Sequence, residues 1–388
     1  MKKIIVLFAI VLFGTTSHAK IVNLSLPQNL SKQSSISLLT CGSGNEYYLS
    51  FGHTAVRICD TAQGFDLVYN FGVFDFDTPN LYLKFAMGNL DYMIDVLSYK
   101  RFIRSYENEG RSIVEQKLNM NYEERNKLFY LVKELDTDEN RYYKYDFFRN
   151  NCATRARDAI NTCLDSSFIA PETDYSENMT YRELIYPYSN DKLLWWRLGC
   201  DILLGMRCDK PIPTAEYMFL PFEFQNQIDS SSLVTATTEL LPENRTPNSD
   251  SVSPIIVFWA LFVLAVVFTF IEFRKKVSFR WFDVILFLLA GIIGLVIVFL
   301  WFVSSHWCTK VNLNILWLSP LLLLCIPYLG KASKYIIYIM MASLVLALIN
   351  FVVRLQVYNA AALPIILTLV ARLTACYGRI KRKTNQLG

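Results

Sequence analysis

Two side chains far apart in the sequence have the chemistry of an activated nucleophile. His53 lies in the run FGHT (51–54), and Cys152 lies in the run NNCATR (150–155). A thiol and an imidazole that meet in a fold can form a thioester with an acyl group. On residue type alone, a structural thiol and a hydrogen-bonded strand histidine remain the more ordinary interpretation.

The elements around this pair decide whether the two side chains can meet. Polar residues before Cys152 predict a helix from there to about Cys163, and a thiol at a helix N-terminus has a stabilised thiolate. Residues 53–58 and 65–71 predict two strands joined by a hairpin at 60–64. A turn near residue 62 brings Asn70 close to His53, where it can hold the imidazole in one tautomer, with Asp75 as the reserve.

The remaining signals of the N-terminal half predict an α+β domain. Residues 36–40 and 113–118 have the composition of strands, and residues 121–135 predict a helix capped by Asn121. The sequence has no metal-ligand spacing, no phosphate-binding glycine loop and no nucleophile-elbow serine. We therefore expect neither a metal nor a soluble cofactor.

The chain also has the signals of an exported membrane protein. Residues 1–19 have the basic, apolar and small-residue parts of a signal peptide. Five apolar stretches, roughly 254–272, 281–303, 313–329, 335–353 and 360–377, predict an all-α polytopic membrane domain within 254–388. Residues 20–239 form the predicted periplasmic catalytic domain, and residues 240–253 the linker.

The charges of the loops between the apolar stretches predict the topology. Ten basic residues fall on one side of the predicted membrane and two, Lys310 and Arg354, on the other. This distribution predicts a cytoplasmic C-terminus. The net charge of +4 comes largely from these loops, so it does not indicate a nucleic-acid partner. Asp283 and Arg372 fall near cytoplasmic ends, where snorkelling accounts for them.

Several further residues are candidates for substrate contact or for cross-linking. Arg155 could meet a phosphate, although an ion pair within the domain is the simpler interpretation. His306, Asn312 and Asn314 lie in a predicted outside loop and could bind a headgroup or a peptide. Two disulfides are conceivable in an oxidising compartment; they would join Cys200 to Cys208 and Cys41 to Cys59.

Four segments resemble the Lnb family of Bacteroidota, the lipoprotein N-acyltransferase type. They are SLLTCG (37–42), FGHTAVR (51–57), YNFGVFDF (69–76) and NCATR (151–155). The order of histidine before cysteine is also similar to the circularly permuted branch of the papain-like thiol enzymes. The resemblance implies that His53 and Cys152 are the catalytic pair of a periplasmic domain fused to a membrane domain.

The resemblance also implies a reaction and its partners. A membrane phospholipid would donate an acyl chain to Cys152, and the α-amine of a diacylglyceryl-cysteine lipoprotein would accept it at the inner membrane. Two alternatives remain open: a membrane-anchored cysteine amidase or peptidase acting on cell-wall peptides, and a non-enzymatic lipoprotein-handling module. Five spans favour membrane-embedded substrates over soluble wall peptides.

Overall fold

The computed structural model describes residues 26–169, 172–189, 193–245, 252–326 and 333–387. The predicted signal peptide, residues 1–19, lies outside these ranges. The described part of the N-terminal half forms one mixed sheet-plus-helix domain, and the described part of the C-terminal half is helical.

An antiparallel sheet of seven strands, in the order β6-β4-β3-β2-β1-β5-β7, organises the described N-terminal domain. The strands are β1 (Ser35–Cys41), β2 (His53–Asp60), β3 (Phe65–Phe74), β4 (Asp91–Ser98), β5 (Ile113–Leu118), β6 (Tyr142–Lys144) and β7 (Val234–Leu241). The predicted hairpin is present as β2 and β3, with Ala55 opposite Asn70. Strands β4 and β7 were not predicted, and β7 extends to Leu241, into the range predicted as linker.

Seven α-helices pack around this sheet within the described residues. They are α1 (Leu81–Met87), α2 (Tyr99–Glu109), α3 (Tyr122–Leu135), α4 (Cys152–Cys163), α5 (Tyr181–Ile185), α6 (Leu194–Leu203) and α7 (Pro221–Asp229). The predicted cap of α3 is confirmed, because the Asn121 side chain accepts from Glu124 N at 2.9 Å. The largest core cluster joins one sheet face to α3, α4 and α7, and a second lies under α2 on the other face.

The helical half contains five segments that are long and apolar enough to cross a membrane. Its α-helices are α8 (Pro254–Lys275), α9 (Arg280–Phe302), α10 (Leu321–Leu324), α11 (Ser333–Val353) and α12 (Ala362–Leu387). The third candidate span, Trp307–Leu324, is not one continuous helix. It consists of two 3₁₀ turns, at Trp307–Thr309 and Leu313–Leu316, followed by α10.

Four charged side chains form a buried network between α8, α9 and α12. Arg372 donates to Asp283 at 2.6 Å and to Glu272 at 2.8 Å, and Arg379 donates to the same two carboxylates. Arg372, Asp283 and Glu272 have no exposed surface. The snorkelling interpretation of Asp283 and Arg372 is therefore wrong: two carboxylates and two guanidiniums neutralise each other inside the helical domain.

The N-terminal domain is docked on the loop that follows α9. Gly205 N donates to Cys308 O at 2.8 Å, and Met206 N donates to Val311 O at 3.0 Å. A Cβ on Gly205 would collide with the carbonyl of Lys310, so glycine permits this approach. The two domains thus join through backbone hydrogen bonds.

The two conceivable disulfides are absent, since all nine cysteines are free thiols. Cys41 is paired with His53 in the β1–β2 ladder, whereas Cys59 is paired with Ser35 at the other end of the same strands. The two cysteines are therefore separated by six residues along the strands, or about 20 Å, which is far beyond the distance that a disulfide can bridge. The thiol of Cys208 instead donates to Cys308 O at 3.5 Å.

Candidate active site

Cys152 is the first residue of α4, as predicted, and its neighbour Asn151 fixes the start of the helix. The Asn151 side-chain oxygen accepts from Thr154 N at 2.9 Å, which completes a capping box. The Asn151 amide nitrogen donates to Phe147 O and Phe219 O, each at 2.8 Å. Asn151 is buried, so these bonds hold Cys152 in one position.

The thiol of Cys152 lies against the start of β2. Backbone N–H groups near the thiol act to lower its pKa. They include that of Thr54, the residue after His53, and that of Ala153, in the first turn of α4. Burial raises the pKa of the thiol, and these donors oppose that rise without cancelling it. The resting Cys152 side chain is therefore a neutral thiol beside preformed donors.

His53 and Asn70 meet through the geometry of the β2–β3 hairpin. His53 Nε2 and Asn70 Oδ1 are 3.3 Å apart, while the Asn70 amide nitrogen donates to Val68 O at 3.3 Å and to Asp95 O at 3.5 Å. Because the amide oxygen faces the ring, Nε2 carries the proton and donates. The Nδ1 nitrogen of the neutral ring is then an unprotonated base.

Asp75, the reserve for orienting the imidazole, lies in the turn that follows β3. Its carboxylate accepts from Asp77 N at 2.9 Å, as expected of a turn aspartate. The side chain that reaches the His53 ring is that of Asn70.

Burial and a nearby guanidinium keep His53 neutral. Burial of the imidazole, together with the charge of Arg111, lowers the pKa of His53 to about 4, against the opposing effect of the hydrogen bond that His53 donates to Asn70 Oδ1. At neutral pH the pair is therefore imidazole and thiol rather than imidazolium and thiolate. In this state His53 can accept a proton.

Arg111 is a residue of this site that the sequence analysis missed. It is 4% exposed, its Nε donates to Gly42 O at 2.8 Å, and its guanidinium lies 4.4 Å from the centroid of the Tyr106 ring. Gly42 follows Cys41, which is the cross-strand partner of His53. A single arginine after a glycine gives no local signal, so only the sheet register reveals its place.

A glycine and a tyrosine complete the surroundings of Cys152. Gly72 has a φ of +84°, and a Cβ there would lie 3.5 Å from Cys152 Cβ and 3.4 Å from Tyr145. The β3–β4 pairing shifts register between Asn70 and Val73, next to this glycine. Such bulges redirect side chains near reactive sites, and here the backbone turns towards Cys152.

The structure keeps Arg155 close to the candidate nucleophile but engages it within the domain. Its Nε donates to Asn150 Oδ1 at 3.0 Å, and its guanidinium lies 3.8 Å from the centroid of the Tyr143 ring. Because Arg155 already has these partners, its contact with a donor phosphate stays a prediction.

The candidate substrate-contact residues of the predicted outside loop lie in the domain junction rather than beside Cys152. They are His306, Asn312 and Asn314. The Asn312 amide donates to Ile202 O at 2.8 Å, and the Asn314 amide donates to Asp201 O at 2.9 Å. Both asparagines are 1% exposed. His306 Nε2 bonds to Phe85 O at 2.7 Å. These groups are engaged within the protein, and their contact with a headgroup or a peptide stays a prediction.

Within the described residues, no three His, Cys, Asp or Glu side chains cluster in a way that could hold a metal ion. The candidate site consists of Cys152, His53 and Asn70, and Arg111 lies behind them. Fold and site together describe a multi-pass membrane protein whose sheet-plus-helix domain presents a thiol and an imidazole.

Comparison with known families gives this architecture an identity. Residues 26–186 match the Lnb N-terminal periplasmic domain, and residues 246–384 match the Lnb transmembrane domain. The chain therefore belongs to the Lnb family, with its two-domain arrangement. Neither a curated protein nor a solved structure matches the chain.

Proposed function

We propose that this protein is a lipoprotein N-acyltransferase that works through a thioester on Cys152. The observation that carries the proposal is the place of Cys152 at the capped N-terminus of α4, a helix that packs on β2, the strand that begins with His53. The attached helical domain, with five candidate spans, supports substrates that are held in the same membrane.

The first half-reaction moves an acyl chain from a phospholipid to the enzyme. Nδ1 of His53 takes the thiol proton as Cys152 Sγ attacks the ester carbonyl. Backbone N–H groups around Cys152 stabilise the oxyanion. The C–O bond then breaks, His53 returns the proton to the leaving oxygen, and a lysophospholipid departs from the thioester.

The second half-reaction moves the acyl chain to a lipoprotein. The α-amine of a diacylglyceryl-cysteine attacks the thioester carbonyl, and His53 accepts a proton from the nitrogen. The C–S bond breaks, an amide forms, and the proton returns to Cys152 as its thiol. The ester of the donor supplies the free energy, so a soluble cofactor is not required.

The same proposal includes the finer fold and location of the protein. The strand histidine that precedes a helix-opening cysteine supports a circularly permuted papain-like arrangement. The basic loops support an inner-membrane protein with a cytoplasmic C-terminus. Docking of the N-terminal domain on the loop after α9, one of the two predicted outside loops, agrees with this topology.

Acyl transfer by the full chain in lipid nanodiscs tests the proposal. The donor phospholipid carries isotope-labelled acyl chains, and the acceptor is a diacylglyceryl-cysteine peptide. We expect the peptide to gain the mass of one labelled chain. Without acceptor, we expect the protein to gain that mass at Cys152 in a form that hydroxylamine removes.

Two cysteine variants make this experiment decisive. Cys152→Ser should abolish both mass gains, whereas Cys59→Ser, at the far end of β2, should leave them unchanged. Transfer by Cys152→Ser would contradict the nucleophile assignment. An unchanged acceptor, together with cleavage of cell-wall peptides, would favour the amidase alternative.

A further inference from the structure

Helix α1 carries apolar side chains that the protein covers only in part. Leu81 is buried, but Tyr82, Leu83 and Phe85 are 53%, 54% and 54% exposed. Three large apolar residues within one short helix form a patch that a soluble surface would not favour. The position of α1 beside the helical domain indicates the environment of these exposed side chains.

The loop after α9 ties the end of α1 to the end of a candidate membrane span. Ser305 N donates to Met87 O at 2.8 Å, and Ser305 Oγ donates to Gly88 O at 2.9 Å. Gly88 has a φ of +70°, and a Cβ there would collide with Ser305 Oγ. The glycine therefore permits this close contact.

The distance along the chain places α1 at the level of the membrane surface. Phe302, the last residue of α9, is 73% exposed and lies three residues before Ser305. Three extended residues span at most about 10 Å. The interfacial zone on each side of the hydrocarbon core is about 5–8 Å thick. Helix α1 is thus tied within about 10 Å of the end of a candidate membrane span, a distance comparable to the thickness of the interfacial zone.

An aromatic layer connects α1 with Cys152. Leu81, Leu90 and Tyr92 form a buried cluster beneath the helix. Tyr92 stacks on Tyr145 with ring centroids 4.3 Å apart. Tyr145 also lies beside Gly72, at the point where that glycine approaches Cys152. Apolar contacts therefore run from the buried Leu81 of α1 to the surroundings of the candidate nucleophile.

We propose that α1 is an interfacial helix whose Tyr82, Leu83 and Phe85 side chains enter the adjacent lipid leaflet. The aromatic layer behind it guides a lipid acyl ester towards Cys152. The membrane contact follows from the junction with α9, whereas the guiding role rests on the proposed acyltransferase function. Separate measurements test the two parts.

Site-specific photo-crosslinking tests the membrane contact. Benzoylphenylalanine replaces Leu83 in the full chain, which is then irradiated in phospholipid nanodiscs and analysed by mass spectrometry. Phe302 is the positive control, and Tyr130 on α3, which is 45% exposed, is the apolar control. We expect phospholipid adducts at 83 and 302 and none at 130. Absence of a lipid adduct at 83, or crosslinking to a second protein chain there, would overturn the proposal.

Activity of a charge variant tests the guiding role. Leu83→Glu should lower kcat/KM for a nanodisc phospholipid about tenfold, because a charge opposes insertion of the helix. Cleavage of a water-soluble short-chain ester should be unchanged, and Tyr130→Glu should affect neither reaction. Equal loss with both substrates would contradict lipid guidance by α1. If the wild-type protein transfers no acyl chain, the acyltransferase proposal fails while the crosslinking result stands.

Discussion

His53 and Cys152, the proposed catalytic pair, are both neutral in the resting protein. The pKa of His53 is lowered to about 4, and the pKa of Cys152 is raised, in both cases chiefly by burial. The helix N-terminus and the backbone donors at Cys152 do not offset that burial. In the proposed mechanism, proton transfer from the thiol to the imidazole therefore belongs to the chemical step, when substrate changes the surroundings of both groups.

The neutral thiol predicts slow alkylation of Cys152 at neutral pH. The rate of reaction with iodoacetamide should rise with a midpoint above 9, the ordinary thiol value, because only the thiolate reacts. Peptide mass spectrometry at Cys152 across a pH series measures it, and His53→Gln should leave the midpoint nearly unchanged. A midpoint near 6 that depends on His53 would instead indicate a preformed ion pair.

The 3.3 Å contact with Asn70 predicts how the imidazole responds to substitution. Asn70→Ala should lower kcat about tenfold through loss of one orienting hydrogen bond. Asn70→Asp places a carboxylate beside the ring and raises the pKa of His53. Protonated His53 cannot act as a base. As the pH falls, the Asn70→Asp variant should therefore lose activity at a higher pH than the wild type does.

Acyl-transfer rates measured from pH 4 to 9 test the role of Asn70. Asn119→Ala, which removes an exposed hydrogen bond to Ser232 O, is a matched control and should keep the wild-type profile. An Asn70→Asp profile identical to that of the wild type would show that Asn70 does not govern the imidazole.

At the scale of elements, the sequence carried enough information to predict the parts that hold the site. The polar start of α4 and the turn signals of the β2–β3 hairpin are local, so these elements could be read from neighbouring residues. Strand β4 could not be predicted in this way. Its apolar residues Tyr92, Ile94 and Val96 alternate, but the apolar Met93 and Leu97 between and after them hide the apolar–polar pattern. Strand β7 is largely exposed and gains its identity from pairing with β5.

Asn151 has more partners than an ordinary cap, and this predicts an unusual cost of its removal. Asn151→Ala should lower the free energy of unfolding by about 2–4 kcal/mol, since a cap and two hydrogen bonds to carbonyls are lost together. Asn121→Ala is the matched control at the cap of α3 and should cost about 1 kcal/mol. Denaturant unfolding followed by tryptophan fluorescence compares the two, and equal losses would contradict the additional role of Asn151.

At the scale of the whole molecule, the sequence predicted the number of apolar spans but not their pairing. Arg372 lies 89 residues from Asp283 and 100 residues from Glu272 in the chain, and these charges meet only after the helices pack. A charged residue within an apolar stretch indicates an unfavourable free energy of placing that charge in lipid. It does not report a partner on another helix, so snorkelling was the available interpretation.

The buried network predicts a specific pattern of stability. Arg372→Leu should destabilise the helical domain by about 3–5 kcal/mol, because it leaves uncompensated buried carboxylate charge. The double variant Asp283→Leu/Arg372→Leu removes one charge of each sign and should recover most of that loss. Thermal unfolding in detergent measures both, and a double variant as unstable as the sum of its singles would contradict direct pairing.

The hydrogen bonds at the end of α6 bear on how the two halves fold. The last carbonyls of that helix, from Asp201 to Leu204, accept from Asn312, Asn314 and Gln356, all of which belong to the helical half. Helix C-terminal carbonyls need such partners, and here they come from across the domain boundary. We therefore expect the two halves to unfold together, and neither half to be a complete module that could be exchanged between proteins without its counterpart.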